Sequence, residues 1–205
     1  MKLKDLSFTF ITAVLAGLAI GIGGITFLSI DEKIVGALMF TVGLYTICTQ
    51  GLSLFTGKVG YLVNEKPSYL VTLAVIWLGN LAGTWISAQA ALASRISAIS
   101  ERAAAMCEAK ANDSFSSLFL LAIFCGMLMY IAVDGYKQTK NPIILFVCVA
   151  GFILCGFEHC IADMFYFSLA GCWSADILLR TLVITLGNAL GGVLIPLALK
   201  LKKDK

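Results

Sequence analysis

"VIWLGNLAG" (residues 75–83) recurs 108 positions later as "VITLGNALG" (183–191). A second pair follows nearly the same offset: "AVLAG" (13–17) aligns with "AIFCG" (122–126). The chain is therefore built twice. Each copy holds three apolar stretches, at about 6–30, 34–63 and 69–93, then at about 115–136, 142–171 and 176–199. Each stretch reaches the roughly 20 residues a helix needs to cross a bilayer. Three is odd, so the second copy enters from the opposite face. That makes inverted repeats, with a functional site near the midplane where they meet. The expected fold is all-α and integral to the membrane, with six transmembrane helices. A single domain covers 1–205: repeat 1 at about 6–93, an external linker at 94–114, and repeat 2 at about 115–199.

Composition agrees. The 205 residues are 60% apolar and 13% charged, against roughly 25% charged in a soluble domain. The first apolar stretch is too long for a signal-peptide core and reads as a retained span. The net charge of +3 is small, and the lysines sit at the ends of apolar runs. They set topology rather than bind nucleic acid. With six spans, ten of the fifteen Lys and Arg residues share a side with both termini, among them Lys2, Lys4, Lys203 and Lys205. Both termini are expected to be cytoplasmic, in a multi-pass protein of the cell membrane. The 94–114 segment then lies outside. Its alanines and spaced charges suggest a short surface helix, read here as a plain linker.

Seven cysteines are present, most of them inside apolar runs, where they act as small hydrophobes. No CxxC occurs and there is one histidine, so neither a metal nor a cofactor is expected. Cys107 and Cys172 fall in loops and could pair.

The second and fifth stretches run near thirty residues and carry breakers: Gly51 and Gly57 in one, Gly156 in the other. In the repeat alignment "GLSLFTG" (51–57) faces "GFEHCIA" (156–162). Helices 2 and 5 are therefore expected to be broken, which membranes tolerate where the backbone is buried or lines a cavity. The fifth break holds Glu158, His159 and, one turn on, Asp163. A charge at mid-helix costs roughly 2.5–3.5 kcal/mol on insertion scales, so the cluster points to function. Glu158 is expected to accept backbone N–H groups freed by the break, with His159 as its neutral partner. His159 is expected to meet a permeant, and its imidazole can pass a proton. Asp163 either orients the imidazole or, if ionised, opposes an anion. Gly79/Gly83 and Gly187/Gly191 have the spacing of close helix contacts and are assigned to packing within the chain. Gly17/Gly21 is left open for contact between copies.

"SLFTG" on span 2, "GFEHCIADMF" on span 5 and the repeated "LGN" together resemble the formate/nitrite transporter family. The resemblance covers nearly the whole chain. It implies an aquaporin-like fold and a homopentamer with one pore per protomer. It also implies transport of a small monovalent anion: formate, nitrite, hydrosulfide or lactate. Thr56 and His159 match the family's pore centre. Phe40 and Leu44 match the cytoplasmic constriction, Leu54 and Phe152 the outer one. Such apolar slits exclude hydrated ions. Two positions depart from the pattern. Asp163 stands where members usually have asparagine. Asn141 stands where they tend to have a lysine that draws anions in, with Lys140 beside it. The expected partners are the small anion, protons and the lipid bilayer.

Other readings compete. A channel for neutral solutes would use Glu158, His159 and Asp163 only to hold the fold. An enzyme is disfavoured by the lone histidine and the absence of paired metal-ligand spacing. A proton-coupled cation transporter lacks a carboxylate relay in the other spans.

Overall fold

Small residues set the helix pairs. The computed structural model describes residues 3–203; the topology lysines Lys2 and Lys205 lie outside the described residues. Ten helical segments follow in order: α1 (Leu3–Ser29), α2 (Lys33–Gln50), α3 (Phe55–Lys58), a 3-10 turn (Val59–Asn64), α4 (Tyr69–Leu92), α5 (Ile99–Asn112), α6 (Phe115–Thr139), α7 (Ile143–Leu154), α8 (Cys160–Ala170) and α9 (Ala175–Lys203). No strand occurs among the described residues. Among the described residues five helices, α1, α2, α4, α6 and α9, are long and apolar enough to cross a membrane.

The main contacts are α1 on α4 and α6 on α9. Both pairs approach through glycine. A Cβ on Gly83 would lie 2.1 Å from the Val14 carbonyl oxygen, and one on Gly191 would lie 2.0 Å from that of Ile123. A Cβ on Gly17 would lie 2.3 Å from the Asn80 carbonyl oxygen, and one on Gly21 would lie 1.8 Å from Ser87 Oγ. Gly17 and Gly21 are thus used inside the chain, which removes them from the candidates for a contact between copies.

The two long apolar stretches are not continuous helices. α2 stops where Gly51 turns left-handed at φ 67°, its N–H returning to the Ile47 carbonyl. α7 stops before Gly156, which turns at φ 68°. Both conformations favour glycine. Gly57, also expected to break the chain, lies inside α3. α8 sits at the centre, with residues 160–169 all buried. Large apolar side chains such as Phe8, Trp85 and Leu186 are exposed on the outer helices, as a lipid-facing surface requires.

Candidate functional site

Two asparagines hold the two interruptions in the same way. The Phe55 N–H donates to Asn80 Oδ1 at 2.9 Å. Asn80 Nδ2 donates to the Ala13 carbonyl at 2.8 Å and to that of Ser53 at 2.9 Å. In the other half the Cys160 N–H donates to Asn188 Oδ1 at 2.9 Å. Asn188 Nδ2 donates to the carbonyls of Ala122 and Glu158, both at 2.8 Å. These asparagines close the repeated "LGN". A helix start leaves N–H groups without partners, and here a side chain from a neighbouring helix supplies one.

The clamps set α3 and α8 so that Thr56 and His159 meet. Thr56 Oγ1 lies 2.9 Å from His159 Nε2, and both residues are buried. His159 caps α8: its Nδ1 accepts the Ala162 N–H at 3.1 Å. A ring nitrogen that accepts carries no proton, so the neutral imidazole bears its hydrogen on Nε2. That hydrogen donates to Thr56 Oγ1 and leaves the threonine hydroxyl free to donate onward. Gaining a second proton at Nδ1 means giving up the Ala162 cap.

The expected constriction residues regroup. Phe40 meets Phe152 edge-on with ring centroids 5.8 Å apart, and Phe152 stacks on the His159 imidazole at 5.5 Å. Phe40 therefore pairs with Phe152 rather than with Leu44 alone. α2 puts Phe40 and Leu44 on one face, but the facing ring comes from α7. Leu44 is buried one turn further along α2. Leu54 lies on the other side of the centre from Phe152. It lines a cavity of about 180 Å³ with Lys58, Lys137 and Lys140. Phe152 and His159 line a second cavity of about 410 Å³ with Lys33, Lys110, Glu158 and Asp163.

Glu158 does not satisfy backbone N–H groups. Its carboxylate pairs with Lys110, and Asp163 Oδ1 lies 3.0 Å from the same ammonium. Neither acid contacts the imidazole in the way the sequence suggested. Asp163 Oδ2 is buried without a hydrogen-bond partner. Burial opposes the charge on Lys110, but Asp163 and Glu158 outweigh it and hold its pKa above the ordinary lysine value.

Lys140 lines the Leu54 cavity, and Asn141 lines neither of the two. Lys140 ends α6 in a left-handed turn and extends over the Tyr136 ring at 5.8 Å. The Asn141 side chain accepts the Ile143 N–H at 3.0 Å, beside the start of α7. Neither lines the His159 cavity.

A family model described as Formate/nitrite transporter matches residues 2–201. The chain belongs to the formate/nitrite transporter family. It is 27% identical to the Formate channel FocA of Haemophilus influenzae, over 92% of this chain and 78% of that protein. It is 26% identical to the Nitrite transporter NirC of Salmonella typhimurium, over 90% and 78%. A solved pentameric formate channel with formate bound superposes with a TM-score of 0.87 at 25% identity, all of both chains covered. An FNT family ion channel at 24% identity, covering 91% of this chain and 86% of that one, shares the fold with a TM-score of 0.80. Formate/nitrite transporter membership, with five helices of spanning length, makes this a multi-pass membrane protein of a family made of channels and transporters.

Sequence reasoning missed Lys110. It read 94–114 as a plain linker, whereas Ile99, Ala103 and Cys107 of α5 are buried and α5 packs on α8. Two signals were available. Ile99, Ala103, Cys107 and Lys110 follow a helical period, and two carboxylates in an apolar run demand a cation.

Proposed function

We propose that the protein is a channel or transporter for small monovalent weak-acid anions, formate and nitrite foremost, with hydrosulfide and lactate as further candidates. The observation that carries this is the buried Thr56–His159 pair, formed by one residue from each half and lying between two cavities. The names of the relatives and of the structural neighbour support the substrate class.

The architecture we infer is six spans in two inverted repeats, with α2/α3 and α7/α8 as the broken second and fifth. The matching asparagine clamps support this reading. The domain runs over 1–205, with repeats at about 6–93 and 115–199 and both termini cytoplasmic. α5 then covers the outer cavity. Five copies assemble, as in the pentameric neighbour. The anion enters a cavity and sheds water at an apolar constriction, with Phe40 and Phe152 toward α5 and Leu44 and Leu54 toward the lysine-rich side. At the centre it meets the Thr56 hydroxyl and the His159 ring. Hydrogen bonds there offset part of its desolvation. Protonation through His159 lets it leave as the neutral acid, so flux rises as pH falls.

Uptake into proteoliposomes of formate, nitrite, hydrosulfide and lactate at pH 5 and pH 7, with His159→Asn alongside, tests the reading. Selective, mutually competing, pH-dependent uptake that His159→Asn abolishes is the expected result. Equal, pH-independent uptake by both proteins would sink it and favour the neutral-solute channel.

A further inference from the structure

Away from the pore centre, two cysteines meet between elements far apart in sequence. Cys107 is on the buried face of α5, and Cys172 is in the 171–174 turn that joins α8 to α9. α5 packs on α8 and α9, the helices that this turn joins. Cys107 and Cys172 line one cavity of about 360 Å³, together with Glu108 and Asp176. Cys172 is partly exposed, whereas Cys107 is 3% exposed. The turn is fixed: the Cys172 N–H returns to the Phe167 carbonyl at 3.2 Å behind the left-handed Gly171. α5 is fixed as well, since Arg180 Nη1 donates to the carbonyls of Lys110 at 3.1 Å and Asp113 at 2.6 Å. The other five cysteines lie in the apolar stretches, Cys155 exposed and the rest buried or half-buried.

We propose that Cys107 and Cys172 form a dithiol site that an incoming disulfide-class oxidant closes to an intramolecular disulfide. Cys172, the less buried of the two, is where the oxidant arrives. Its thiolate attacks one sulfur of the donor disulfide. A mixed disulfide forms, and half of the donor leaves as a thiolate. Cys107 then loses its proton, attacks Cys172 Sγ, and releases the second half. Two electrons and two protons pass to the donor, which ends as two thiols. Burial first, and then the contact with Cys172, raise the Cys107 thiol pKa. Cys107 therefore resolves the mixed disulfide rather than opening the reaction. The bond closes a long loop and ties α5 to the end of α8. Lys110, one turn beyond Cys107, is then held against Glu158 and Asp163.

The site does not depend on which anion the protein carries. The source of the oxidant does rest on the topology read above, which puts α5 outside. Purified protein is treated with oxidised glutathione, denatured, and its free thiols counted. Seven are expected before treatment and five after, with one peptide joining Cys107 to Cys172. Cys107→Ser should stop at a glutathione adduct on Cys172, and Cys172→Ser should keep Cys107 free. The oxidised protein should melt on the order of 10 °C higher. Retention of seven thiols, a bond between other cysteines, or an unchanged melting point would overturn the proposal. If either variant fails to fold, the thiol count and peptide map of the native chain still decide. Labelling of Cys172 in intact cells by a membrane-impermeant maleimide tests the topology separately. Labelling only after permeabilisation would revise the topology and leave the thiol count standing.

Discussion

His159 is held at both ring nitrogens, and this limits what it can do. Nδ1 is occupied by the Ala162 N–H and Nε2 by Thr56. Proton handling at this ring is therefore coupled to the threonine hydroxyl. Thr56→Val keeps the side-chain shape and deletes the acceptor, leaving a buried donor unpaired at about 1–3 kcal/mol. Uptake of formate into proteoliposomes is expected to fall roughly ten- to a hundredfold. Asp163 acts through charge. Glu158 and Asp163 share one ammonium, that of Lys110, in the wall of the His159 cavity. Asp163→Asn leaves that ammonium to Glu158 and takes one carboxylate out of the cavity wall. We expect the protein to fold and to take up formate several-fold faster at neutral pH and low anion concentration; slower uptake would show that Asp163 assists permeation.

At the level of elements, the clamps and α5 carry the site. Asn188→Ala deletes three hydrogen bonds, two at the start of α8 and one to Ala122 of α6, each worth about 1 kcal/mol net, and more where a buried group is left unpaired. A melting point lowered by about 10 °C in detergent is expected, with a smaller drop for Asn188→Asp, which keeps the acceptor for Cys160. α5 depends on its lysine. Lys110→Met strands two buried carboxylates, at about 3–5 kcal/mol. Hydrogen exchange of α5 amides should accelerate, and adding Glu158→Gln with Asp163→Asn should restore much of the protection. The pH dependence has a definite sign. The folded pKa of Lys110 is raised, so its contribution is fully present below the unfolded value of about 10.5. It is lost only as pH climbs through the folded one. α5 protection should therefore stay level from pH 7 to pH 9, once corrected for intrinsic exchange rates. The repeated "LGN" was legible as a duplication, whereas what its asparagines hold exists only once α4 and α9 pack beside the two interruptions. The lysine stayed hidden because it sits 48 residues before Glu158, in a segment with the composition of a solvated linker. Periodicity could show that α2 carries Phe40 and Leu44 on one face. It could not show that the opposing ring is Phe152, since that contact exists only once α2 and α7 pack.

Across the whole molecule the duplication makes its strongest demand at the helix crossings. α1/α4 and α6/α9 each close on a glycine, where an added Cβ would strike a carbonyl oxygen at 2.1 Å in one half and 2.0 Å in the other. The obstacle is backbone, so a rotamer change cannot relieve it and the helices must part. Overpacking of this kind costs about 1–3 kcal/mol, or more where nothing yields. Parting the helices also moves Asn80 or Asn188, which sit one turn before Gly83 and Gly191, and with them the start of α3 or α8. Gly83→Ala and Gly191→Ala are therefore expected to lower the melting point by similar amounts. Both should also loosen the Thr56–His159 contact, although neither glycine touches it. Thermal melts of the two variants beside formate uptake provide the check. Matched losses of stability and flux are what two equivalent halves sharing one centre require. A large loss in one variant with the other near wild type would mean that the second half has relaxed its packing, and that the repeat survives in sequence more than in mechanics.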